Sequence, residues 1–291
     1  MSASSIAYGF IGLGRMGGPM AANLAKHAPP LVYDRAGTEA RAPAGARCAA
    51  DASEIAGACD AVFLSLPAGG DVLAVLAELL AAPKRRLREV IDLSTIGVQA
   101  AEAAAARCAA AGLAYHDAPV SGGRAGALAA TISIMWAGPA ARLEAHRPAL
   151  SAMARNIFHV GERAGQGQAL KLLNNFLSAT ATAATAEALH FGRAHGLDLK
   201  TILDVVNVST GRSDASERKY PRHVLSGTFD SGFGTDQMAK DLRLYREALA
   251  AAGTAGVIGN DVAALWEAAA AALYGADHTR IFEFLARPKA S

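Results

Sequence analysis

The stretch Gly12-Leu13-Gly14-Arg15-Met16-Gly17 decides the fold of the first half of the chain. It follows a short apolar segment and opens a helical pattern over residues 16–27. A glycine-rich turn between a strand and a helix is the setting in which a dinucleotide pyrophosphate binds at a helix N-terminus. Gly12 permits the tight turn and Gly14 lets the backbone approach the pyrophosphate, while Gly17 lets the helix lie close to the strand. All six residues of the stretch are therefore candidate cofactor contacts, although a glycine turn that binds nothing has the same composition.

A carboxylate further along the chain extends this prediction to the adenosine end of the cofactor. The apolar segment Leu31–Tyr33 is followed by Asp34, twenty-two positions after Gly12. Carboxylates that bind the ribose hydroxyls in this kind of site follow the glycine turn by about 20 residues. Asp34 would repel a 2′-phosphate, whereas Arg35 beside it can bind one. We therefore predict NAD as the cofactor, with NADP possible.

The first half of the chain alternates short apolar segments with alanine-rich helical patterns. Predicted strands cover Ile6–Ile11, Leu31–Tyr33, Ala61–Leu66, Val90–Leu93 and Ile132–Trp136. Such alternation predicts parallel pairing with helical crossovers. Beyond about Gly161 helical patterns dominate, beginning with a helix over residues 164–194 that ends before Gly196 and spans about 45 Å. We predict an α/β Rossmann domain over residues 1–162 and an all-helical substrate and oligomerisation domain over residues 163–291, joined by this long interdomain helix.

Charge and cysteine content narrow the class of partner. The 28 Lys+Arg residues nearly balance the 26 Asp+Glu residues, and no basic run with interleaved aromatics is present, so we expect no nucleic-acid partner. The long helix carries charged and amide residues that would be costly in hydrocarbon, so we expect no membrane partner. Three cysteines without zinc spacing, and no secretion signal, favour the cytoplasm. The histidines lack metal-ligand spacing, and we assign no metal.

Four motifs spread over the chain go beyond the glycine turn. They are Phe10–Leu24 (FIGLGRMGGPMAANL), Asp117–Gly123 (DAPVSGG), Gly165–Asn175 (GQGQALKLLNN) and the pair Lys240-Asp241. Together they resemble the motifs of the 3-hydroxyisobutyrate dehydrogenase family, also called β-hydroxyacid dehydrogenases. The resemblance implies a Rossmann domain and an all-helical domain, a homodimer or homotetramer, a substrate-binding second motif, a catalytic helix in the third, and Lys240 near the cofactor. We expect Asp241 to be a helix cap or an ion-pair partner.

Lys171 and Asn175 are the candidate catalytic residues, and both are candidate substrate contacts. They are four residues apart in the predicted helix and therefore share one face. Oxidation of an alcohol requires removal of the hydroxyl proton, which a lysine can accept when desolvation or nearby cations lower its pKa. Asn175 would orient the lysine or the substrate. The competing interpretation is a solvated lysine on a polar helix face.

The segment Ser121-Gly122-Gly123 combines a hydroxyl with flexible backbone N–H groups. These are the ingredients of a carboxylate-binding concavity, although a plain turn has the same composition. The family resemblance assigns it to the substrate carboxylate. Ala130 and Trp136 depart from the family pattern and leave the identity of the substrate open.

Two predicted strand ends supply the remaining cofactor candidates. Leu66-Pro67 ends one strand and Thr95 follows another, and ligands of open α/β sheets bind at carboxyl ends of strands. By the resemblance these residues border the nicotinamide and its ribose, although an ordinary strand end and a helix cap would look alike.

The sequence therefore predicts an oxidoreductase that transfers a hydride between NAD(P) and a small 3-hydroxy acid or its semialdehyde. The predicted partner is a small carboxylate-bearing molecule. Two alternatives stay open. One is an imine reductase of the same fold, a class that typically lacks the lysine found here at position 171. The other is a dinucleotide-binding sensor without catalysis.

Overall fold

The computed structural model describes residues 6–286, and its first half is built on one extended sheet. The strands are β1 (Tyr8–Ile11), β2 (Leu31–Tyr33), β3 (Arg47–Cys48), β4 (Ala61–Leu64), β5 (Glu89–Asp92), β6 (Ala114–Asp117), β7 (Val120–Ser121), β8 (Ile132–Ala137) and β9 (Ala154–Gly161). Within the described residues the order is β3-β2-β1-β4-β5-β6-β8-β7, and β9 pairs with β8. Strands β1 to β6 pair in parallel.

Helices connect the strands of the first half, and the described elements after β9 are all helical. They are α1 (Gly17–Ala25), α2 (Ala52–Ala58), α3 (Gly69–Leu80), α4 (Val98–Ala110), α5 (Gly123–Leu128), α6 (Ala140–Met153), α7 (Gln166–Ala194), α8 (Leu199–Asn207), α9 (Thr235–Ala251), α10 (Val257–Ala272) and α11 (Ile281–Leu285). A π-helical segment, Ala215–Val224, lies between α8 and α9, and a short 3-10 turn, His278–Arg280, precedes α11. The predicted Rossmann domain followed by an all-helical part is confirmed.

Consecutive apolar residues of the central strands β4 and β5 are buried because both faces of the sheet are covered. In β4, Phe63 packs into one apolar cluster, whereas Val62 and Leu64 pack into the other. In β5, Ile91 and Val90 divide in the same way. Side chains of a strand alternate between its two faces, so a strand buried on both sides favours apolar residues at consecutive positions. This explains why the sequence shows short continuous apolar runs rather than alternation.

The prediction of parallel pairing throughout is wrong at one end of the sheet. Strand β8 runs antiparallel to β6 and to β7. Only the six-residue helix α5 and its flanking turns separate β7 from β8. A parallel return needs a crossover of a dozen or more residues, so this short connection forces antiparallel pairing.

Several strands are shorter than the predicted apolar segments. Ile6 and Ala7 lie outside β1, and Ser65 and Leu66 lie beyond β4. Four strands have no predicted counterpart, namely β3, β6, β7 and β9. Strands β3, β6 and β9 contain exposed or charged side chains and β7 has only two residues, so none of the four forms an apolar run that the sequence would reveal. These four segments become strands through backbone hydrogen bonds to neighbouring strands, which their own sequence does not predict.

The chain divides into two compact units, one ending at Lys171 and the other beginning at Leu172. The division falls inside α7, and the predicted boundary at residue 162 stays a prediction. In the second unit α9 and α10 pack around Trp266, and a separate cluster surrounds Tyr220. In the part of the chain that the structure describes, no helix combines the length and apolar character needed to cross a membrane.

Candidate active site

The glycine turn is held at the carboxyl ends of β1 and β2. The N–H of Gly12 donates to the Tyr33 carbonyl at 2.9 Å, and Gly12 has a φ of +94°, which favours glycine. A Cβ on Gly17 would collide with the Gly12 carbonyl oxygen. By contrast, a Cβ on Gly14 would meet no atom within 4 Å. The fold therefore requires Gly12 and Gly17, whereas the space beside Gly14 suits a ligand that approaches the backbone closely.

Asp34, at the end of β2, holds the glycine turn in place. Its Oδ2 accepts a hydrogen bond from the Leu13 N–H at 2.7 Å, and its Oδ1 accepts one from the Ala36 N–H at 2.8 Å. Arg41 approaches Oδ2 at 3.5 Å. The carboxylate that we predicted for the ribose is therefore also a fixed part of the turn. Sequence reasoning missed this second role.

Arg35 points away from this cluster, toward the helix α3. Its guanidinium forms an ion pair with Glu78 at 3.2 Å, and the Arg35 side chain is 64% exposed. An exposed pair of this kind contributes little stability, so Arg35 is able to exchange Glu78 for another anion at small cost. The structure brings Asp34, but not Arg35, into contact with the glycine turn.

The carboxyl ends of β4 and β5 are joined by Ser94. The N–H of Leu66 donates to Ser94 Oγ at 2.8 Å, and the N–H of Ser94 donates to Asp92 Oδ1 at 2.9 Å. Pro67 is exposed and Thr95 is half-buried beside these groups. The two strand ends predicted as cofactor contacts are thus brought together at one edge of the sheet.

The first turn of α7 is attached to the same edge. Gln168 is fully buried, and its Oε1 accepts hydrogen bonds from the N–H groups of Ile96 at 2.9 Å and Gly97 at 3.2 Å. Its Nε2 donates to the Ser94 carbonyl at 2.9 Å. Lys171, one turn later, is only 9% exposed. The candidate catalytic lysine therefore follows directly from a turn anchored to the end of β5.

Two buried carboxylates lie beneath this turn. Asp92 and Asp117 are register partners in β5 and β6, and both are fully buried. Asp117 accepts from the N–H groups of Gly165 at 2.9 Å and Gln168 at 2.8 Å. Burial raises the pKa of Asp92 and the pKa of Asp117 to about 6. Asp117 binds the N-terminal N–H groups of α7, and these hydrogen bonds favour its ionised form.

Asn175 belongs to a polar group within the second unit. Its Nδ2 donates to Asp241 Oδ2 at 2.6 Å, and its Oδ1 accepts from Asn174 at 3.2 Å. Lys240 Nζ lies 3.2 Å from the other Asp241 oxygen. Asn175 and Asp241 are 7% and 3% exposed. Asp241 is an ion-pair partner, as expected, and it also fixes the orientation of the Asn175 amide, a role that was not predicted.

The segment proposed to hold a carboxylate begins four residues after Asp117. Ser121 ends β7 and is partly exposed, and Gly122 and Gly123 are exposed with φ values of +127° and +62°. A concavity of consecutive N–H groups needs such conformations. The geometry is compatible with the predicted role.

Sequence reasoning missed the side-chain roles of three residues in the quoted motifs or strand ends, namely Ser94, Asp117 and Gln168. Gln168 stands inside the motif that carries Lys171, and that position was the available signal. Its partners lie 71 to 74 residues away in the chain, so no local pattern identifies them.

Comparisons with known proteins identify relatives of both halves of the chain. A family model described as the NAD binding domain of 6-phosphogluconate dehydrogenase matches residues 7–161, and one described as NAD-binding of NADP-dependent 3-hydroxyisobutyrate dehydrogenase matches residues 165–285. The 2-(hydroxymethyl)glutarate dehydrogenase of Eubacterium barkeri is 39% identical over 250 residues, which are 84% of this chain and 82% of that protein.

Two further proteins are similar over nearly the whole chain. The NAD-dependent L-serine dehydrogenase of Pseudomonas aeruginosa is 39% identical over 265 residues, 86% of this chain and 88% of that protein. A solved structure of 3-hydroxyisobutyrate dehydrogenase from Mycobacterium tuberculosis with L-serine has a TM-score of 0.89 and 33% identity, and the match covers 97% of this chain and 99% of that one.

Proposed function

The chain belongs to the 3-hydroxyisobutyrate dehydrogenase family and is an NAD(P)-dependent oxidoreductase, and we propose that Lys171 is its general acid and base. The reaction is hydride transfer between NAD(P) and a small 3-hydroxy acid or its semialdehyde. The observation that carries the proposal is the burial of Lys171 one turn after Gln168, whose side chain bonds to the loop after β5. Ligands of open α/β sheets bind at such strand ends.

The cofactor is held by the glycine turn and the strand ends. Bound NAD(P) supplies the nicotinamide carbon that accepts or donates the hydride. The open space at Gly14 and the N-terminus of α1 suit the pyrophosphate. Leu13, Arg15 and Met16 complete the turn, and Leu66, Pro67, Thr95 and Lys240 are the further contacts that we propose for the cofactor.

NAD is the preferred cofactor in this proposal. Asp34 presents a carboxylate at the end of β2, where it would repel a 2′-phosphate. Arg35 is paired with Glu78 and exposed, so NADP binding would require it to leave that partner. NADP therefore remains usable, with a weaker affinity than NAD.

The proton and the hydride leave the alcohol by separate routes. During oxidation the hydroxyl proton would pass to neutral Lys171 Nζ while the carbon that bears the hydroxyl gives its hydride to NAD(P), and the alcohol becomes a carbonyl. Reduction runs in reverse, with protonated Lys171 donating to the oxygen. Asn175, oriented by Asp241, holds the lysine or the substrate oxygen in position.

The substrate class follows from the proposed carboxylate site and from the relatives. Ser121, Gly122 and Gly123 offer a hydroxyl and exposed backbone N–H groups to a carboxylate. L-Serine and 2-(hydroxymethyl)glutarate, named for two of the similar proteins, each carry a primary alcohol on the carbon beside the one that bears a carboxylate. We propose that the substrate of this chain has the same 3-hydroxy acid unit.

The test is turnover on a panel of 3-hydroxy acids, with NAD and NADP, for the wild type and Lys171→Ala. We expect the variant to lose at least about 100-fold in kcat, as for removal of a general acid or base, while its affinity for NADH stays close to that of the wild type. The matched control is Lys200→Ala, since Lys200 is a surface lysine paired with Asp204.

Three results would contradict this proposal. Tight NADH binding without turnover of any hydroxy acid would favour the sensor interpretation. Reduction of cyclic imines without oxidation of hydroxy acids would favour the imine reductase interpretation. Equal kcat in the wild type and Lys171→Ala would remove Lys171 from the mechanism.

We further propose that the protein forms a homodimer or homotetramer. The exposed fractions of Leu173, Leu177 and Phe191 on α7 are 46%, 58% and 68%. Their spacing puts them on one face of the helix, opposite Lys171, and exposed apolar faces of this kind commonly form interfaces. A cytoplasmic location is part of the same proposal, because the three cysteines are free thiols, as a reducing compartment maintains them.

A further inference from the structure

Gln168 uses both ends of its side-chain amide at the edge of the sheet. The carbonyl oxygen accepts from the backbone N–H groups of Ile96 and Gly97, and the amide nitrogen donates to the carbonyl of Ser94. The side chain is fully buried. Three hydrogen bonds from one glutamine to a single four-residue loop leave little freedom in the distance between that loop and α7.

This loop is itself attached to the neighbouring strands. Ser94 Oγ accepts from the Leu66 N–H, and the Ser94 N–H donates to Asp92. The ends of β4 and β5 and the first turn of α7 are therefore joined through Ser94 and Gln168. Leu66 and the neighbouring Thr95 are the residues that we propose to border the nicotinamide and its ribose.

The backbone of α7 is anchored independently of the glutamine side chain. Asp117 accepts from the N–H groups of Gly165 and Gln168. A Cβ on Gly167 would lie 2.6 Å from the Met135 carbonyl oxygen and 2.8 Å from Asp117 Oδ2, so the helix approaches β6 and β8 closely. The Asp117 bonds fix where the helix starts, and the Gln168 side chain then sets the rotation of the first turn relative to the loop after β5.

We propose that Gln168 is a positioning residue, which sets the distance between Lys171 and the loop Ser94–Gly97 and hence between the proton-transfer group and the cofactor. Lys171 follows Gln168 by three residues, so its side chain lies one turn further along a helix whose rotation is set at Gln168. The inference rests on the proposed role of Lys171. A purely stabilising glutamine would alter the folding free energy without altering the reaction of the folded enzyme.

The experiment compares Gln168→Leu with Gln168→Glu and with Gln166→Leu. Leucine removes all three hydrogen bonds at similar volume, whereas glutamate keeps the oxygen that accepts from Ile96 and Gly97. Gln166 is a matched control because it lies in the same helical turn and its Oε1 accepts a local hydrogen bond, from the Arg163 N–H at 2.9 Å. Each variant is brought to the same folded fraction, checked by thermal unfolding, before kinetics are measured.

We expect Gln168→Leu to lower kcat by about 100-fold, since a misplacement of about 1 Å has effects of that size on enzymatic rates. KM and the affinity for NADH should change little. In the reverse reaction, reduction of the semialdehyde with NADH deuterated at the transferred position, the variant should show a larger isotope effect on kcat than the wild type, because hydride transfer becomes rate-limiting. The kcat of Gln168→Glu should lie between those of the wild type and Gln168→Leu. The kcat of Gln166→Leu should equal that of the wild type.

A second measurement does not depend on turnover. The rate at which acetic anhydride labels Lys171, followed by mass spectrometry, should change in Gln168→Leu and stay constant in Gln166→Leu. Hydrogen exchange of the peptide that contains Ile96 and Gly97 should accelerate in the same variant alone. If the wild type oxidises no hydroxy acid, the proposed function fails while these two readouts still decide the inference.

The inference is overturned by either of two results. One is a folded Gln168→Leu enzyme with wild-type kcat and isotope effect. The other is an unchanged labelling rate of Lys171 together with a lower melting temperature, which would make Gln168 a residue that only stabilises the fold.

Discussion

At the scale of single residues, a buried charged side chain is tolerated where several hydrogen-bond and ion-pair partners surround it. Glu89, 6% exposed at the start of β5, accepts from His116 at 3.2 Å and from His146 at 3.1 Å, and it is paired with Arg142. His146 also meets the Tyr8 hydroxyl at 3.1 Å. A buried carboxylate without such partners would cost several kcal/mol. This cluster lies at the opposite end of β5 from Ser94 and serves the stability of the Rossmann unit.

The histidines of this cluster predict a pH dependence of stability. Burial lowers the pKa of His146 from 6.5 to about 4, with a contribution from the Arg142 charge. Between these values the unfolded chain binds a proton that the folded chain does not, so the free energy of unfolding rises as pH rises from 4 to 6.5. This gain in stability is lost as pH falls from 6.5 to 4. Burial lowers the pKa of His116 in the same direction, to about 4.

We therefore expect His146→Gln to flatten this rise. The loss of one titrating group reduces the slope of the unfolding free energy by up to about 1.4 kcal/mol per pH unit between pH 4 and 6.5. Urea unfolding of the wild type and His146→Gln at a series of pH values measures this slope. Identical slopes in the wild type and the variant would show that His146 carries a proton in the folded state.

At the scale of elements, different glycines of the turn before α1 serve the packing of the fold and the proposed binding of the cofactor. Gly17 touches the Gly12 carbonyl, so its lack of a side chain serves packing of α1 against β1. Gly14 has open space around it, so its lack of a side chain serves no contact within the described protein. The same short motif thus contains residues selected for two different physical reasons.

Two alanine substitutions test this difference. Gly17→Ala should destabilise the protein by several kcal/mol, because its Cβ would overlap backbone that cannot move without distorting the turn. Gly14→Ala should leave the melting temperature nearly unchanged and weaken NADH binding by about tenfold or more, equivalent to about 1.4 kcal/mol. Thermal unfolding and fluorescence titration with NADH separate the effects. Wild-type affinity in Gly14→Ala would argue against close approach of the cofactor there.

At the scale of the whole molecule, α7 presents two faces with different chemistry. Lys171 and Asn175 lie on a buried polar face, and Leu173, Leu177 and Phe191 lie on the exposed apolar face. A 29-residue helix with an exposed apolar face is costly to leave in water. One helix would thereby carry the candidate chemistry and an association surface.

We expect Leu177→Glu to shift the protein toward a smaller oligomer. A charge in a closed apolar interface loses its hydration, which disfavours association. Sedimentation velocity over a range of concentrations measures the change, and Lys200→Glu, on the exposed surface of α8, is the control. A wild type that sediments as a monomer at all concentrations would contradict the proposal, as would an unchanged oligomer in Leu177→Glu.

Local patterns in the sequence determined much of this protein. The glycine turn, the apolar runs of β1, β2, β4, β5 and β8, and the long helix α7 follow from spacing and periodicity within a few turns of chain. The pairing of Lys171 with Asn175 on one face needed only the helical repeat. The resemblance added the family, and with it the class of reaction, which the comparisons confirmed.

Tertiary structure alone decided the antiparallel strand β8, the second role of Asp34 and the attachment of α7 to the sheet. Gly165 and Gln168 form hydrogen bonds with partners 48 to 74 residues away, in β6 and in the loop after β5. A hydrogen bond between distant segments depends on which strands become neighbours. That order results from burial of the whole apolar surface and is not encoded in the residues that finally touch.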